Sequence, residues 1–182
     1  KGLIISEQAK NILLLTAETY SKYINKEDKS NKTIFGDGAS ATLISSTNLP
    51  FGLNFEIMNF CYGTDGSKFD SLIVKNGAHR HPIFDGKTQY DENGDYKYND
   101  NNLYMDGKAI FNFTAFQVPP LIKETLEKNN LKIEDIDIFI FHQANKFMLE
   151  TVRKRCEIPA EKFFIDIEDV GNTVSNTIPI AM

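Results

Sequence analysis

The chain has 182 residues and a formal net charge of −5, with 41% hydrophobic and 25% charged residues. This is the composition of an ordinary globular protein, enough for one good domain or for the larger part of a bigger one. The negative charge argues against nucleic acid as the main partner, because phosphate binding needs a surplus of Lys and Arg. No apolar run reaches the ~20 residues of a membrane helix, and no signal peptide is readable. Cys61 and Cys156 lie far apart without metal-ligand spacing, which favours a reduced, cytoplasmic protein.

The first third of the chain contains two clear strand patterns. The continuous apolar run Asn11–Thr16 predicts a buried strand of a parallel or mixed sheet. Residues 22–33 are highly charged and predict a surface loop. The stretch Ile34–Ile44 predicts a strand whose small residues allow backbone or ligand to come close. Within it, Asp37 lies between two glycines and is predicted to fix a turn by accepting hydrogen bonds from backbone N–H groups. Phe55–Phe60 is a further candidate strand.

The middle of the chain is the least regular part. Residues 76–103 are rich in Asn, Asp and Gly, and we predict an excursion with little core that serves as a lid or a dimer contact. His79 and His81 have no third ligand at useful spacing, so a surface loop is favoured over a metal site. A helix is predicted from Met105 to Asn129-Asn130, with a kink or a restart at Pro119-Pro120.

The last part repeats a strand, a loop and a helix twice. Lys132–Phe141 predicts a strand, followed by His142 and a helix over residues 146–157. Residues 163–167 predict another strand, followed by Gly171, Asn172 and a helical start. This order is typical of a parallel sheet covered by helices, whose ligand crevice lies at the carboxyl ends of the strands. His142 and Asn172 both follow such ends.

His142 and Asn172 could act together on a substrate oxygen. A neutral imidazole can donate through one nitrogen, and an Asn side chain can donate through its NH2 group. Two donors at adjacent strand ends can stabilise one developing oxyanion. Spacing alone leaves a structural alternative open, in which His142 bonds a loop carbonyl and Asn172 caps a helix.

Four landmarks together resemble the β-ketoacyl-acyl-carrier-protein synthase III family. They occur in family order and cover nearly the whole chain: Phe35-Gly-Asp-Gly-Ala39, Met105-x-Gly107 with Phe111 after it, His142-Gln-Ala-Asn145, and Gly171-Asn-Thr173 followed by Ile178-Pro179. The resemblance implies an α/β thiolase-like fold, layered α/β/α/β/α and incomplete here, in a protein that is typically a homodimer. Residues 1–58 would be the remainder of the N-terminal half, and residues 59–182 a truncated C-terminal half that includes the excursion at 76–103.

The resemblance also implies a chemistry. In the family a cysteine takes an acyl group from acyl-CoA, malonyl-acyl-carrier protein loses CO2, and the resulting carbanion attacks the acyl-cysteine. By resemblance, His142 and Asn172 are the catalytic residues that hold the malonyl thioester carbonyl. Substrate or carrier contacts are expected at Asn145, Gly107, Lys108, Phe111 and Lys146. Coenzyme A thioester is a substrate in this scheme, no cofactor is permanently bound, and acyl carrier protein is the partner.

Neither cysteine of this chain matches the nucleophilic cysteine of the family. In the family it lies upstream of the strand that here is Asn11–Thr16, so we expect this chain to be inactive alone. Neither end carries a capping or terminating signal, which predicts a chain that is cut from a longer protein at both ends or represented only in part. Cys156 follows Met148 and Val152 at helical spacing, which predicts core packing. Cys61 has no basic neighbour or helix start that would lower its pKa.

Departures from the family pattern leave other functions open. The family often reads Gly-Asn-Thr-Ser-Ala-Ala-Ser-Ile/Val-Pro, whereas Val174 and Asn176 are bulkier here. Phe147 stands where many members carry an Arg associated with carrier docking. A row of basic residues could supply that charge or be a solvated helix face: Lys146, Arg153, Lys154 and Arg155. The alternatives are a synthase III-like acyltransferase of secondary metabolism, a non-catalytic homologue acting as a binding partner, and a papain-like hydrolase that would need a nucleophile within this chain.

Overall fold

A computed structural model of the chain describes residues 1–48, 50, 52 and 54–182. The four helices in these residues are α1 (Gly2–Ile5), α2 (Gly107–Lys128), α3 (Lys146–Arg155) and α4 (Thr177–Ala181). The eight strands are β1 (Asn11–Glu18), β2 (Gly38–Ser45), β3 (Leu72–Ile73), β4 (Gln89–Tyr90), β5 (Tyr96–Tyr98), β6 (Tyr104–Met105), β7 (Phe139–Ile140) and β8 (Phe163–Phe164). Short 3-10 turns connect several of these elements.

Strands β1 and β2 form an antiparallel pair, in register from Asn11 opposite Ser45 to Glu18 opposite Gly38. The prediction that the first strand is buried was wrong for the described residues, because Leu13 and Leu15 are 60% and 66% exposed. Successive side chains of a strand point to opposite faces. Thr16 faces the turn before α4 and contacts Asn176, so its face is covered at that end of the strand, although Leu14 on the same face is 49% exposed.

The C-terminal part confirms the predicted parallel pairing. Strands β7 and β8 run parallel, with Phe139 opposite Phe163, and α2 packs beside α3. Both strands are shorter than the sequence pattern predicts, because residues 133–135 form a 3-10 turn and pairing after residue 164 stops. The core between strands and helices consists of Phe139, Leu149, Ile158 and Phe163.

Helix α2 is continuous, so the predicted restart at Pro119-Pro120 was wrong. Each proline removes one N–H bond to the preceding turn. The flanking turns stay helical, and contacts with α3 hold them, including the Arg155 guanidinium 4.6 Å from the centre of the Phe116 ring. The helix ends at Asn129, as predicted, with Asn130 in a left-handed conformation at φ 55°.

Residues 55–60 form no strand, so that prediction was also wrong. The segment 76–103 contains the short hairpin β4–β5 and buries Leu103 and Asn99. Its role as a lid or dimer contact stays a prediction. The same holds for the division into halves at residues 58 and 59, and residues 49, 51 and 53 of the first half lie outside the described residues.

Candidate functional site

His142 lies two residues after the end of β7, in a loop that is anchored by its neighbour Gln143. The Gln143 side chain is 1% exposed. Its oxygen accepts from the Asp166 N–H at 2.8 Å, and its NH2 donates to the Phe141 carbonyl at 2.8 Å. These bonds tie the loop after β7 to the chain after β8, and they fix the position from which the imidazole projects.

The imidazole of His142 is held at one nitrogen. Nδ1 lies 2.7 Å from the Thr177 hydroxyl oxygen. The side chain is exposed on its other side, and Nε2 has no hydrogen-bond partner within the described part of the chain. Burial of the ring lowers the pKa of His142 below its usual value, and the backbone bond at Val174 opposes this shift. The imidazole is therefore neutral near pH 7 and presents Nε2 outward.

Asn172 is held in place by backbone pairing with the segment before β2. Its N–H donates to the Ile34 carbonyl at 2.8 Å, and its carbonyl accepts from the Gly36 N–H at 3.0 Å, which form a parallel bridge with Phe35. The side chain is 6% exposed, and its oxygen accepts from the Val174 N–H at 2.9 Å. No partner of its NH2 group occurs among the described residues, so this donor is free for a ligand.

The two side chains are organised by one short segment, residues 174–177. Val174 supplies the N–H that orients Asn172, and Thr177 contacts Nδ1 of His142. The structural alternative is therefore partly true, since both side chains make local bonds. Those bonds use Nδ1 and the amide oxygen, and they leave the Nε2 edge and the NH2 group available. Nε2 and the NH2 group are thus the polar atoms that a ligand at this turn would meet.

The remaining candidate residues lie at the starts of α2 and α3. Asn145 caps α3, since its side-chain oxygen accepts from the Met148 N–H at 2.8 Å. Lys146 pairs with Glu168 at 3.4 Å, where both side chains are largely exposed, so this pair contributes little to stability. Gly107 and Lys108 open α2 and are exposed.

Phe111 and Phe147 join the two helix starts. Their rings stack with centroids 5.3 Å apart and an interplanar angle of 23°. Phe147 is nonetheless 72% exposed. The structure thus brings the start of α2 beside the start of α3, near the loop that carries His142.

A cavity of about 150 Å³ lies beside the imidazole. Its lining is mostly apolar: Thr114, Val118, Phe141, His142, Ala144, Met148, Leu149 and Val152. A larger cavity of about 550 Å³ lies between the C-terminal ends of α2 and α3 and includes neither His142 nor Asn172. The smaller cavity is therefore the one that bears on the site.

Neither cysteine is placed as a partner of His142. Cys156 follows the last residue of α3, packs against the core and lines the larger cavity. Its burial raises the pKa of the thiol, and the charge of Arg155 only partly offsets this. Cys61 is a free thiol in an irregular segment. The prediction that Cys156 serves core packing is confirmed by its contacts.

Asp37 accepts hydrogen bonds from the backbone N–H and the hydroxyl of Ser21, and these bonds lower the pKa of its carboxyl group. Ser21 lies 16 positions earlier, so Asp37 joins the start of β2 to the turn at Tyr20–Lys22. It accepts from a backbone N–H as predicted, but not from a turn of its own segment. His79 and His81 lie exposed in a loop. The described residues contain no group of three or more His, Cys, Asp or Glu that could hold a metal ion. Within the same ranges, no helix has the length and apolarity that crossing a membrane requires.

Sequence reasoning missed Thr177 and the anchoring role of Gln143. Thr177 is 3% exposed, and its contact with His142 joins residues 35 positions apart. For Gln143, the sequence contains the motif but gives only one weak sign that the side chain is buried. That sign is its position directly after an apolar strand.

Comparison with known proteins identifies a family and several relatives to which this chain is similar. Residues 1–66 match the family described as 3-oxoacyl-[acyl-carrier-protein (ACP)] synthase III, and residues 126–182 match the C-terminal part of the same description. A β-ketoacyl-[acyl-carrier-protein] synthase III of Clostridium perfringens (strain ATCC 13124) is 40% identical over 182 residues, which are 100% of this chain and 52% of the relative. The enzyme of the same name from Campylobacter fetus is 34% identical, with the same coverage. The chain spans about half the length of the curated relatives it matches.

Solved structures give the same result. A crystal structure of a 3-oxoacyl-(acyl-carrier-protein) synthase III matches with 42% identity and a TM-score of 0.89, over 100% of this chain and 53% of that one. The 3-oxoacyl-(acyl-carrier-protein) synthase from Burkholderia xenovorans LB400 matches with 32% identity and a TM-score of 0.78, over 99% of this chain and 49% of that one. These likenesses confirm the predicted thiolase-like α/β fold in incomplete form.

Proposed function

The chain belongs to the β-ketoacyl-acyl-carrier-protein synthase III family, and on that premise we propose that it is part of a decarboxylating condensing enzyme. The whole protein would join an acyl group from acyl-CoA to malonyl-acyl-carrier protein, in fatty-acid or related biosynthesis. One observation supports the proposal: a single turn, residues 174–177, contacts both His142 and Asn172, and among the described residues Nε2 of the imidazole and the NH2 group of the amide have no other partner.

In the proposed reaction, Nε2–H of His142 and the NH2 group of Asn172 donate to the thioester oxygen of the malonyl group. The bond between the α-carbon and the carboxylate breaks, its electron pair forms the enolate, and CO2 leaves. The two donors stabilise the negative charge that develops on the oxygen. The enolate carbon then attacks the acyl-cysteine carbonyl, and the cysteine sulfur departs as the thiolate. Since burial lowers the pKa of His142, the imidazole enters this step neutral.

The proposal assigns the acylated nucleophile to neither cysteine of this chain. Cys156 packs in the core with a raised thiol pKa, and a raised pKa reduces the thiolate that would attack a thioester. Cys61 lies in an irregular segment, and no hydrogen bond joins it to His142 or Asn172 in the described ranges. We therefore expect the 182 residues alone to be inactive in condensation.

Substrate and carrier contacts are proposed at the starts of α2 and α3. Gly107, Lys108 and Phe111 lie on α2, and Asn145 and Lys146 lie at the start of α3. Lys108 and Lys146 are exposed cations, which suit the acidic surface of an acyl carrier protein. Of the basic residues on α3, Arg153 is committed elsewhere, since it pairs with Glu150 at 2.9 Å and donates to the Ile158 carbonyl at 3.1 Å.

The carrier contact can be tested by reversing one charge. Lys146→Glu in the full-length protein should raise the KM for malonyl-carrier protein more than the KM for malonyl-pantetheine, because the pantetheine thioester lacks the acidic surface of the carrier. Lys97→Glu makes the same charge change on the exposed strand β5 and serves as the control. Equal effects of the two variants would count against a carrier contact at Lys146.

The remaining parts of the proposal concern the whole protein. Acyl-CoA is a substrate, no cofactor is permanently bound, and nucleic acid is not a partner, in keeping with the net charge of −5. The homodimer that is typical of the family is tested by sedimentation of the full-length protein. A cytoplasmic location is supported by the two free thiols.

The central experiment separates the two half-reactions in the full-length protein. His142→Ala and Asn172→Ala should each abolish CO2 release from malonyl-carrier protein and leave acyl-cysteine formation largely intact. Asn172→Asp keeps the shape and replaces the donor by an acceptor, so it should be equally defective. Mass spectrometry with a panel of acyl-CoAs measures acylation and also gives the acyl-chain preference. Loss of acylation in both alanine variants would contradict the assigned roles.

A further inference from the structure

Thr114 is one of three threonines in helices α2 and α3. The other two, Thr125 and Thr151, donate their hydroxyls to the carbonyls of Leu121 and Phe147, at 2.7 Å and 2.8 Å. A threonine inside a helix commonly satisfies its hydroxyl by this bond to the preceding turn. The Thr114 hydroxyl does not make this bond, and it has no hydrogen-bond partner among the described residues.

Thr114 instead lines the cavity of about 150 Å³ beside the imidazole of His142. The other side chains of the lining are apolar: Val118, Phe141, Ala144, Met148, Leu149 and Val152. A hydroxyl without a partner in apolar surroundings costs free energy, and a ligand that supplies an acceptor recovers it. Ligand pockets typically combine apolar walls with a few such polar groups, which fix the orientation of the ligand.

The cavity lies between the carrier contacts proposed at the helix starts and the site of the reaction. Phe111 and Phe147 stack at those helix starts, and Thr114 follows Phe111 on α2 by about one turn. A thioester at His142 that is tethered to a carrier at the helix starts must have its connecting arm between these points. That arm is pantetheine, a chain of methylene groups interrupted by two amides. The methylene groups suit apolar walls, whereas each amide needs a hydrogen-bond partner.

We propose that Thr114 is a specificity-determining residue whose hydroxyl donates to the pantetheine amide carbonyl nearest the sulfur. This inference rests on the proposed function, which brings a pantetheine thioester to His142. The amide nearest the sulfur is assigned because a cavity of about 150 Å³ beside the imidazole takes only the part of the arm next to the thioester. A hydrocarbon acyl chain offers no acceptor, so the hydroxyl favours the arm as the occupant.

The test compares two malonyl thioesters as substrates of the full-length protein. Malonyl-N-acetylcysteamine contains this amide, whereas malonyl S-pentyl thioester replaces it by methylene groups in a chain of equal length. Thr114→Val has nearly the same shape without the hydroxyl. It should raise the KM for CO2 release from the amide substrate by ~5-fold, the size of one uncharged hydrogen bond. It should not raise the KM of the pentyl thioester.

The chain offers a matched control for this substitution. Thr125→Val makes the same change on α2, where the hydroxyl is already bonded to the helix, and it should leave both KM values unchanged. Thr114→Ser keeps the hydroxyl and should restore the wild-type KM for the amide substrate. If Thr114→Val does not fold, Thr114→Ser against Thr114→Ala supplies the comparison, since these two variants differ only in the hydroxyl.

Two kinetic results would overturn the inference. An equal rise of KM for both thioesters in Thr114→Val would mean that the change acts through packing, because the pentyl thioester has no amide to lose. An unchanged KM for both would mean that the hydroxyl turns to the Ile110 carbonyl, as the other two threonines turn to theirs.

Binding of CoA separates this inference from the proposed function. CoA contains the same amide and its binding needs no catalysis, so calorimetry should show ~5-fold weaker binding to Thr114→Val than to the wild type. A wild type that releases no CO2, together with this weakened binding, would refute the proposed function and support the Thr114 contact. Equal CoA binding by the two proteins, together with normal CO2 release by the wild type, would overturn the contact and leave the proposed function intact.

Discussion

Replacing Asn176 by alanine should destabilise the protein strongly, because this side chain joins the turn of the site to β1 and β2. Asn176 is 0% exposed. Its oxygen accepts from the Thr16 hydroxyl at 2.7 Å and from the Ser40 hydroxyl at 3.1 Å. Its NH2 group donates to the carbonyls of Gly38 at 2.9 Å and Thr173 at 3.1 Å. The side chain therefore makes four hydrogen bonds without contact with solvent.

The magnitude follows from these bonds. Each contributes about 1 kcal/mol net, and buried groups that lose a partner cost more than exposed ones. The hydroxyls of Thr16 and Ser40 lie 2.6 Å apart, so they keep one partner after the substitution, whereas the two carbonyls lose a donor. We expect Asn176→Ala to lower the free energy of unfolding by about 3 kcal/mol. Asn176→Asp keeps the acceptor, loses both donors and buries a charge, so its cost should be at least as large.

Chemical denaturation of the full-length protein measures this change as a shift of the midpoint at constant slope. Asn93→Ala makes the same substitution in the exposed turn of the hairpin β4–β5, and it should stay within about 0.5 kcal/mol of the wild type. If Asn176→Ala also stays within that limit, the hydrogen bonds of Asn176 do not hold the turn, and the reasoning fails.

Three further changes test the surroundings of the site. Gly171 has φ +65°, and an added Cβ would lie 2.9 Å from the Ile34 carbonyl oxygen. Gly171→Ala should therefore displace Asn172 and reduce CO2 release by up to ~10²-fold. A fully active variant would contradict this. Because burial raises the pKa of its thiol, Cys156 should react with iodoacetamide more slowly than glutathione does at pH 8. Mass spectrometry measures the labelling rate, and a rate equal to or faster than that of glutathione would disprove the prediction. The lowered pKa of His142 means that the unfolded chain binds the proton first, so stability should fall as pH drops below about 6.5. His142→Gln should lack this part of the pH dependence, and identical pH profiles of the two proteins would refute it.

The local features of the site were predictable from the sequence. His142 lies two residues after β7, and Asn172 follows the next strand along the chain. Short-range patterns of apolar and polar residues are enough to find such points. The start of α3 at Lys146 and the end of α2 near Asn129 follow from equally local rules. These predictions depend on neighbours within one or two turns of chain.

Contacts between distant parts of the chain were not predictable in this way. The bond between Thr16 and Asn176 joins residues 160 positions apart, and no periodicity in either segment points to the other. The sequence showed that Asn176 is bulkier than the usual residue of the family, but it did not show the four groups that form hydrogen bonds with its side chain. Helix α2 likewise continues through Pro119, because tertiary contacts outweigh the loss of backbone hydrogen bonds. A local sequence pattern contains no information about those tertiary contacts.

The glycines of the Phe35-Gly-Asp-Gly-Ala39 motif explain why this motif accompanies the Asn172 motif. The pattern suggested a place where backbone or ligand comes close, and the structure shows that the neighbour is backbone. A Cβ on Gly36 would collide with the Val170 carbonyl oxygen, and a Cβ on Gly38 would lie 3.1 Å from the Cβ of Thr173. Because the Gly36 N–H also binds the Asn172 carbonyl, larger residues at these two positions would push away the turn that carries Asn172. The motif therefore leaves room for the turn that carries Asn172 to pack against the chain before β2.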